Sequence, residues 1–422
     1  MAKRFDVVLL GPTGVTGREV ARYLAERAPE LDVRWAVAGR DEARVRASVE
    51  GLASAPVDVL HADTSDATSI DAVARSTRVV ANLVGPYARH GEVVYAACAR
   101  HGTHEIDLTG EIDWLRTMID RYDGSARASG AKLVPTAGFE ALPFDLGALL
   151  AARTVHERSG EGVTAVDVAV TITPEGRLAA ISDAVSGGTF TSGVELLKRG
   201  PGRATTDAYF LDPPEAAGIG AYDLGARRHP GTGQWLAPMF PSAFLNPPIA
   251  HRSAALLRQG GDRTFAASYR YREGIAVGAM AGGPKLPGAE PVLAVTMAAL
   301  QGGFGLLTRA PGAVRGPVAD ALLRFGPKAG EGPRPETLDA WHYRLDVRAT
   351  TTGGSTADVV VEARGHPGYK STATMVGEAA LVLADGGEML PEGSGFLTPA
   401  TALGTELLDR FAPAGVTFRV TG

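Results

Sequence analysis

The chain has 422 residues, 45% of them hydrophobic, with a net charge of -5 and a pI near 6.0. That is enough apolar material for two domains with cores of their own, and it lacks the basic excess that a nucleic-acid partner requires. A single cysteine excludes a disulfide framework within the chain, fits a reducing cytoplasm, and reads as a packed core thiol at Cys98.

The opening passes directly into a short apolar run, residues 5–10, so no signal peptide is expected. Gly11-x-x-Gly14-x-x-Gly17 then turns the chain into a helix over 14–27, where Val15, Val20, Ala21 and Leu24 recur at helical spacing. A strand that turns on glycines into a helix aims backbone N–H groups and a positive dipole end at one spot, which suits a pyrophosphate. Gly11 permits the sharp turn, Gly14 lets phosphate approach the backbone, and Gly17 lets the helix pack on the sheet. Thr13 and Thr16 offer hydroxyls to the same anion, and Val15 lies between them among the expected cofactor contacts.

Further strands are predicted at 33–38, 57–61, 78–84, 104–108 and 132–137, with helices at 41–50, 66–75, 90–101 and 112–129. Strict alternation with short connections predicts an α/β fold. Residues 1–150 form a Rossmann-type, doubly wound parallel sheet, with ligands outside the carboxyl ends of its strands. After strand two stands Arg40, where an NAD site places a carboxylate; a guanidinium there suits the 2′-phosphate of NADPH. The adjacent Asp41 pairs with Arg40 or with Arg44. Asp63, after strand three, either meets the adenine edge or caps the next helix.

After strand four, Val84, Gly85 and Pro86 are expected beneath the nicotinamide half of the cofactor, with little side-chain bulk. Tyr87 follows with a phenol, a proton donor or carbonyl-oxygen partner, or else a side chain packed on its own loop. Asp107, Glu111, Gly138, Glu140 and Asp145 converge on the same edge. Their carboxylates either orient substrate and relay protons or tie down loops and helix ends; Gly138 is placed with the cofactor contacts.

Beyond residue 150 the pattern changes. Segments 163–173, 263–272, 341–351 and 357–365 read as strands, several with period-two alternation, and predict an α+β domain over 151–368 with a largely antiparallel sheet. Between them, 200–250 is rich in Gly and Pro and reads as a lid or flexible crossover. Residues 326–336 read as a surface loop. From Pro291 to Leu307 only Thr296 and Gln301 are polar, but the run falls short of the ~20 apolar residues of a membrane span. A buried helix or the wall of an apolar substrate channel is expected there, ahead of a membrane contact. Helical patterns near 370–384 and 399–412 close the chain.

None of the 10 tyrosines is followed four positions later by lysine, and there is no H-E-x-x-H, no cysteine pair and no G-x-S-x-G. These absences argue against a short-chain dehydrogenase pair, a metal site and a nucleophile elbow.

In order and spacing, "GPTGVTGR", "AGR", "NLVGPYARHGE", "EIDLTGE" and "GFEALPFDLG" resemble the saccharopine-dehydrogenase-like oxidoreductases, and within them the actinobacterial trans-acting enoyl reductases. The likeness continues in "SGGTFTS" (186–192), "GEGP" (330–333), "GHPGYKSTATMVGEAALVLA" (365–384) and "TPATALG" (398–404). The resemblance implies an NADPH-dependent reductase whose Rossmann domain is completed by C-terminal helices from 369–422. The central sheet domain would form the substrate site and the interface of a homodimer. It also implies action on a polyketide double bond held on a carrier protein. Two departures stand out. The family's "GFDSIP" is Gly138-Phe139-Glu140-Ala141-Leu142-Pro143 here, which keeps a carboxylate and loses a hydroxyl, and the Asp before Pro-Gly-Tyr is His366.

The leading expectation is a cytoplasmic enzyme that transfers hydride from NADPH to an activated C=C of an enoyl thioester or related polyketide or lipid intermediate. Developing enolate charge needs a donor near its oxygen; Tyr87 and Glu140 are the expected catalytic residues. Basic segments 196–203 and 225–229 read first as solvated basic loops and otherwise as a surface for an acidic carrier protein. Two alternatives remain: a saccharopine dehydrogenase-like C=N reductase, and an NADP(H)-binding sensor or assembly protein without turnover.

Overall fold

The computed structural model describes residues 3–52, 56–175, 193–194, 197–200, 202–205, 207–216, 220–239, 242–280, 288–326 and 337–422. The chain divides into two units, Met1–Leu146 with Gly368–Thr417, and Gly147–Pro367 with Phe418–Gly422.

The first unit begins with β1 (Phe5–Leu10), α1 (Val15–Arg27), β2 (Trp35–Gly39), α2 (Glu42–Val49), β3 (Asp58–His61) and α3 (Ala67–Ser76). It continues with β4 (Thr77–Asn82), α4 (Tyr87–His90), α5 (Glu92–His101), β5 (His104–Asp107), α6 (Ile112–Ser129) and β6 (Lys132–Val134). The six strands are parallel, in the order β6-β5-β4-β1-β2-β3. Val7, Val8, Leu9 and Leu10 are all buried, as expected of a strand covered on both faces. The order reverses between β1 and β4, so the carboxyl ends of these two strands flank the crevice where such sheets bind ligands. Cys98 is buried in α5.

The chain leaves the first unit within α7 (Leu142–Ser159). The second unit holds β7 (Val163–Pro174), β8 (Arg227–Arg228), β9 (Trp235–Ala237), α8 (Asn246–Gln259), β10 (Phe265–Ala276), α9 (Ala289–Leu307), α10 (Gly312–Phe325), β11 (Trp341–Thr351) and β12 (Thr356–Arg364). The order is β12-β11-β7-β10-β9-β8, antiparallel throughout except that β10 runs parallel to β7. A parallel neighbour needs a long crossover, and residues 175–264 with α8 provide it. Among the described residues of 200–250, the regular elements beyond single turns are β8, β9 and the start of α8. Pro247 and Pro248 stand in the first turn of α8, where no intrahelical N–H is required.

Helix α9 departs from its expectation. Only Ala294 and Gln301 are buried, and the helix lies on the surface rather than in a core or a channel wall. The motifs at 186–192 and 330–333, and the loop 326–336 beyond Gly326, lie outside the described residues.

The chain then returns. In the first unit, α11 (Thr372–Asp385) packs on α1 and β4, β13 (Gly395–Phe396) adds parallel to β6, and α12 (Pro399–Leu403) follows. The last strand, β14 (Val416–Val420), extends the second unit's sheet beside β12, so the chain terminus belongs with that sheet rather than with the helices at 369–422.

Candidate cofactor and active site

The turn after β1 is built by steric necessity. Gly11 has φ +88°, and a Cβ there would meet Val84 Cγ2 at 2.9 Å. A Cβ on Gly17 would lie 2.1 Å from the Gly11 carbonyl oxygen, so the helix rests directly on the turn. Gly14 is the N-cap of α1 and supplies no side-chain cap. The N–H groups of Val15 and Thr16 therefore open the helix without an acceptor, as first-turn donors do when no cap is present. Gly14 and Val15 are exposed, and Thr13 and Thr16 are half-buried beside them. A turn closed to any Cβ at Gly11 and Gly17, below N–H groups unpaired among the described residues at a helix N-terminus, fits a diphosphate.

At the end of β2, Arg40 is exposed and its guanidinium makes no hydrogen bond or ion pair among the described residues. Asp41 leaves it alone; its carboxylate accepts the Arg44 N–H at 3.0 Å and caps α2. Asp63 turns inward on its own loop, accepting the N–H and hydroxyl of Ser65 at 2.9 and 2.7 Å. These bonds, with the Arg40 charge nearby, hold its carboxyl below the usual range. The next helix is capped by Asp66 instead.

After β4, Val84 lies against Gly11, and its N–H donates to Asn82 Oδ1 at 3.2 Å. Gly85 and Pro86 are exposed, joined by a cis peptide bond. Tyr87 is buried. Its hydroxyl donates to the Asn82 carbonyl at 3.0 Å and accepts the Leu108 N–H at 3.1 Å, while Glu111 accepts the Tyr87 N–H at 2.8 Å. Burial raises the phenol's pKa well above its ordinary value. Both hydrogen-bonding capacities of this hydroxyl are thus spent on backbone.

Beyond β6, Gly138 is buried with Leu108 and Thr372 packed where a side chain would stand, and the Phe139 N–H donates to Thr372 Oγ1 at 2.9 Å. Glu140 is half-buried at this end of the sheet. Asp145 accepts the Ala400 N–H of α12 at 2.8 Å.

Under this rim lies a buried acid pair that the sequence reading did not single out as one. Asp107 accepts N–H groups from Thr109 and Thr136 and the Tyr95 hydroxyl, at 2.9, 3.3 and 2.6 Å. Burial nevertheless pushes its pKa up to about 7. Glu105, two residues earlier on the same face of β5, is fully buried, and burial with the Asp107 charge raises it well above the carboxylate range against the opposing pull of the Asn82 side chain. Burial thus holds both carboxyls of the pair above the ordinary carboxylate range. The i, i+2 acids on one strand face were the available signal.

Residues 7–134 match the family model for the saccharopine dehydrogenase NADP binding domain. Over 99% of this chain and 98% of each relative, the sequence is 33% identical to a trans-acting enoyl reductase of Mycobacterium leprae and 32% identical to those of Mycobacterium ulcerans and Mycobacterium tuberculosis. The chain belongs to the trans-acting enoyl reductase family. It is an NADP-dependent oxidoreductase of the saccharopine dehydrogenase-like class. Two solved structures share its fold: saccharopine dehydrogenase (L-Glu forming) of Saccharomyces cerevisiae and homospermidine synthase of Legionella pneumophila. The first has a TM-score of 0.52 at 14% identity, covering 99% of this chain and 100% of that one. The second has a TM-score of 0.54 at 9% identity, covering 99% and 92%.

Two expectations follow for this family member. Arg40→Ala should cut the kcat/KM preference for NADPH over NADH by about 10- to 100-fold, the worth of one charge-assisted bond; an unchanged ratio places the 2′-phosphate elsewhere. The second concerns pH. A carboxyl with a raised folded pKa binds a proton in the native state that the unfolded chain has released. Stability is therefore lost as pH rises from about 4 and the loss is complete only above the folded pKa. Glu105→Gln should flatten that decline and unfold at a higher temperature than the parent at about pH 8. Calorimetry across this range checks it, and an unaltered slope assigns the proton elsewhere.

Proposed function

We propose that this protein reduces the activated C=C of an enoyl thioester, a polyketide or lipid intermediate delivered on a carrier protein, as a cytoplasmic homodimer. The observation that carries the reading is the rim itself: the cradle at Gly11, Gly14 and Gly17, the unpaired Arg40, and the open Gly85-Pro86 corner follow one another along the sheet edge. The full-length likeness to relatives named trans-acting enoyl reductase supports the choice of reaction.

In this reading Gly14, Val15, Thr16 and Thr13 bind the diphosphate and Arg40 the 2′-phosphate. Asp63 steadies Arg40 electrostatically. Val84, Gly85 and Pro86 leave room for the nicotinamide, and Gly138 shapes the opposite wall through packing. When bound, NADPH supplies the hydride, which goes to the β-carbon of the enoyl group. Tyr87 holds the corner through its two backbone bonds, a positioning role rather than proton transfer. Glu140, half-buried on the segment that follows β6, takes the proton-handling role, serving the enolate that forms.

A C=N reductase of amino acids needs arginines free to grip a substrate carboxylate. In the second unit Arg272 is taken up by Asp167 at 2.8 Å, which removes one candidate for that role. NADPH oxidation should be followed with free and carrier-bound enoyl thioesters, with mass spectrometry of the product. A gain of two hydrogens at the double bond is expected, and no turnover with any of them ends the enoyl reading.

A further inference from the structure

Helix α9 turns an apolar side toward solvent. Val292, Val295, Leu300 and Leu306 are 66, 57, 70 and 66% exposed. With the exposed Thr296, Ala299 and Gly303 they recur every three or four positions and form one stripe. The stripe runs about 21 Å at 1.5 Å per residue. It carries no charge, and its one hydroxyl, on Thr296, donates back to the Val292 carbonyl at 2.8 Å.

The other side of α9 is apolar too, and it has partners. Ala294, Leu293 and Met297 pack with Ala237 and Val277, and Phe304 and Leu307 pack with Leu197 and Ala319. A helix apolar all round is one that is covered all round; among the described residues, this one is covered on one side only. Val314 and Leu322 of α10, 49 and 37% exposed, add to the open surface.

At the C-terminal end of α9 lies a pocket of about 390 Å³, lined by Arg203, Arg309, Arg315, Gly200, Gly202 and Thr308. Arg203 pairs with Asp207. Arg315 donates to the Leu197 and Lys198 carbonyls at 3.1 and 3.3 Å, leaving its Nε without an acceptor. Arg309 is exposed, and its guanidinium has no partner among the described residues. The lining is cationic on a chain whose net charge is -5.

We propose that α9 and α10 seat this protein on an anionic lipid bilayer. The uncharged stripe enters the boundary between headgroups and acyl chains, lying in the plane of the interface rather than crossing it, and the arginine pocket takes a lipid phosphate. Other occupants use half of this surface. A second copy covers the stripe but brings another cationic pocket to the same interface. An acidic carrier protein satisfies the arginines but leaves the stripe in water. A bilayer of anionic lipid engages both, and the inference does not depend on the reaction proposed above.

The test uses the full chain and vesicles of phosphatidylcholine alone or mixed equally with phosphatidylglycerol. Co-sedimentation is expected with the mixed vesicles, not the neutral ones, and it should weaken as salt is raised. Leu300→Glu combined with Leu306→Glu should lower the bound fraction at least about tenfold, and Arg309→Glu about fivefold. Both variants should keep the parent's melting temperature and NADPH affinity. Failure to bind mixed vesicles at low salt overturns the proposal. So does conversion of a dimer to a monomer by Leu300→Glu, which assigns the stripe to a second copy. Binding of an acidic carrier protein that Arg309→Glu abolishes, in a chain that ignores vesicles, overturns it as well.

Discussion

Replacing Gly17 with alanine is expected to raise the dissociation constant for NADPH by about two orders of magnitude. The added Cβ would stand 2.1 Å from the Gly11 carbonyl oxygen and 3.1 Å from Pro12 Cα, both backbone atoms that cannot rotate aside. Either α1 lifts from the turn or the turn opens. Such overpacking costs about 1–3 kcal/mol of stability, and the same displacement carries the N–H groups of Val15 and Thr16 off the diphosphate. A hydrogen bond to a charged acceptor is worth about 1.5–3 kcal/mol, so losing one or two of them accounts for the hundredfold change. Fluorescence titration with NADPH reads the affinity and a thermal melt reads the fold. Parental affinity in Gly17→Ala would mean that the diphosphate does not sit on this turn.

Glu378→Ala is expected to destabilise the first unit by about 3 kcal/mol, near the lower end for breaking a buried ion pair. Glu378 is wholly buried in α11. Its carboxylate accepts the Tyr23 hydroxyl at 2.6 Å, Arg27 Nε at 3.4 Å and Arg410 Nε at 3.0 Å. Truncation leaves a buried phenol without its acceptor and weakens the hold on two guanidinium groups. Each arginine keeps a second carboxylate, Glu30 or Asp385, which limits the loss. Because α11 packs on α1, the helix that opens the cofactor turn, the weakened unit should also bind NADPH less tightly at raised temperature. Glu378→Gln, which keeps the shape and an acceptor, should fall between. Denaturant unfolding followed by Trp35 and Trp114 measures the difference; a parental midpoint in Glu378→Ala would contradict the packing described.

The parallel sheet was legible because strands buried on both faces are nearly continuous apolar runs, and the helices between them carry their own period. The turn at Gly11-x-x-Gly14-x-x-Gly17 was legible for a steric reason that spacing alone encodes. Other features were hidden because they depend on distant chain. Asp145 looks like a cap for its own helix, and its bond to the N–H of Ala400 could not be read from the sequence. The Phe139 N–H finds Thr372. Period-two alternation in β7 and β10 shows which residues share a face but not the direction of the neighbouring strand, so their parallel pairing could not be read. Asn246-Pro247-Pro248 resembles a loop, and only the burial of the first turns of α8 reveals its place. The apolar run of α9 told its composition, not which side the rest of the chain would cover. At Tyr87, residue type suggested acid–base work, while the hydroxyl's two backbone partners point to holding the corner.

The most direct measurement is a crystal structure of the protein grown with saturating NADPH. The diphosphate is expected within hydrogen-bonding distance of the N–H groups of Val15 and Thr16, the 2′-phosphate against Arg40, and the nicotinamide beside Gly85 and Pro86. A nucleotide bound elsewhere, or density absent from this edge of the sheet at full saturation, would contradict that placement.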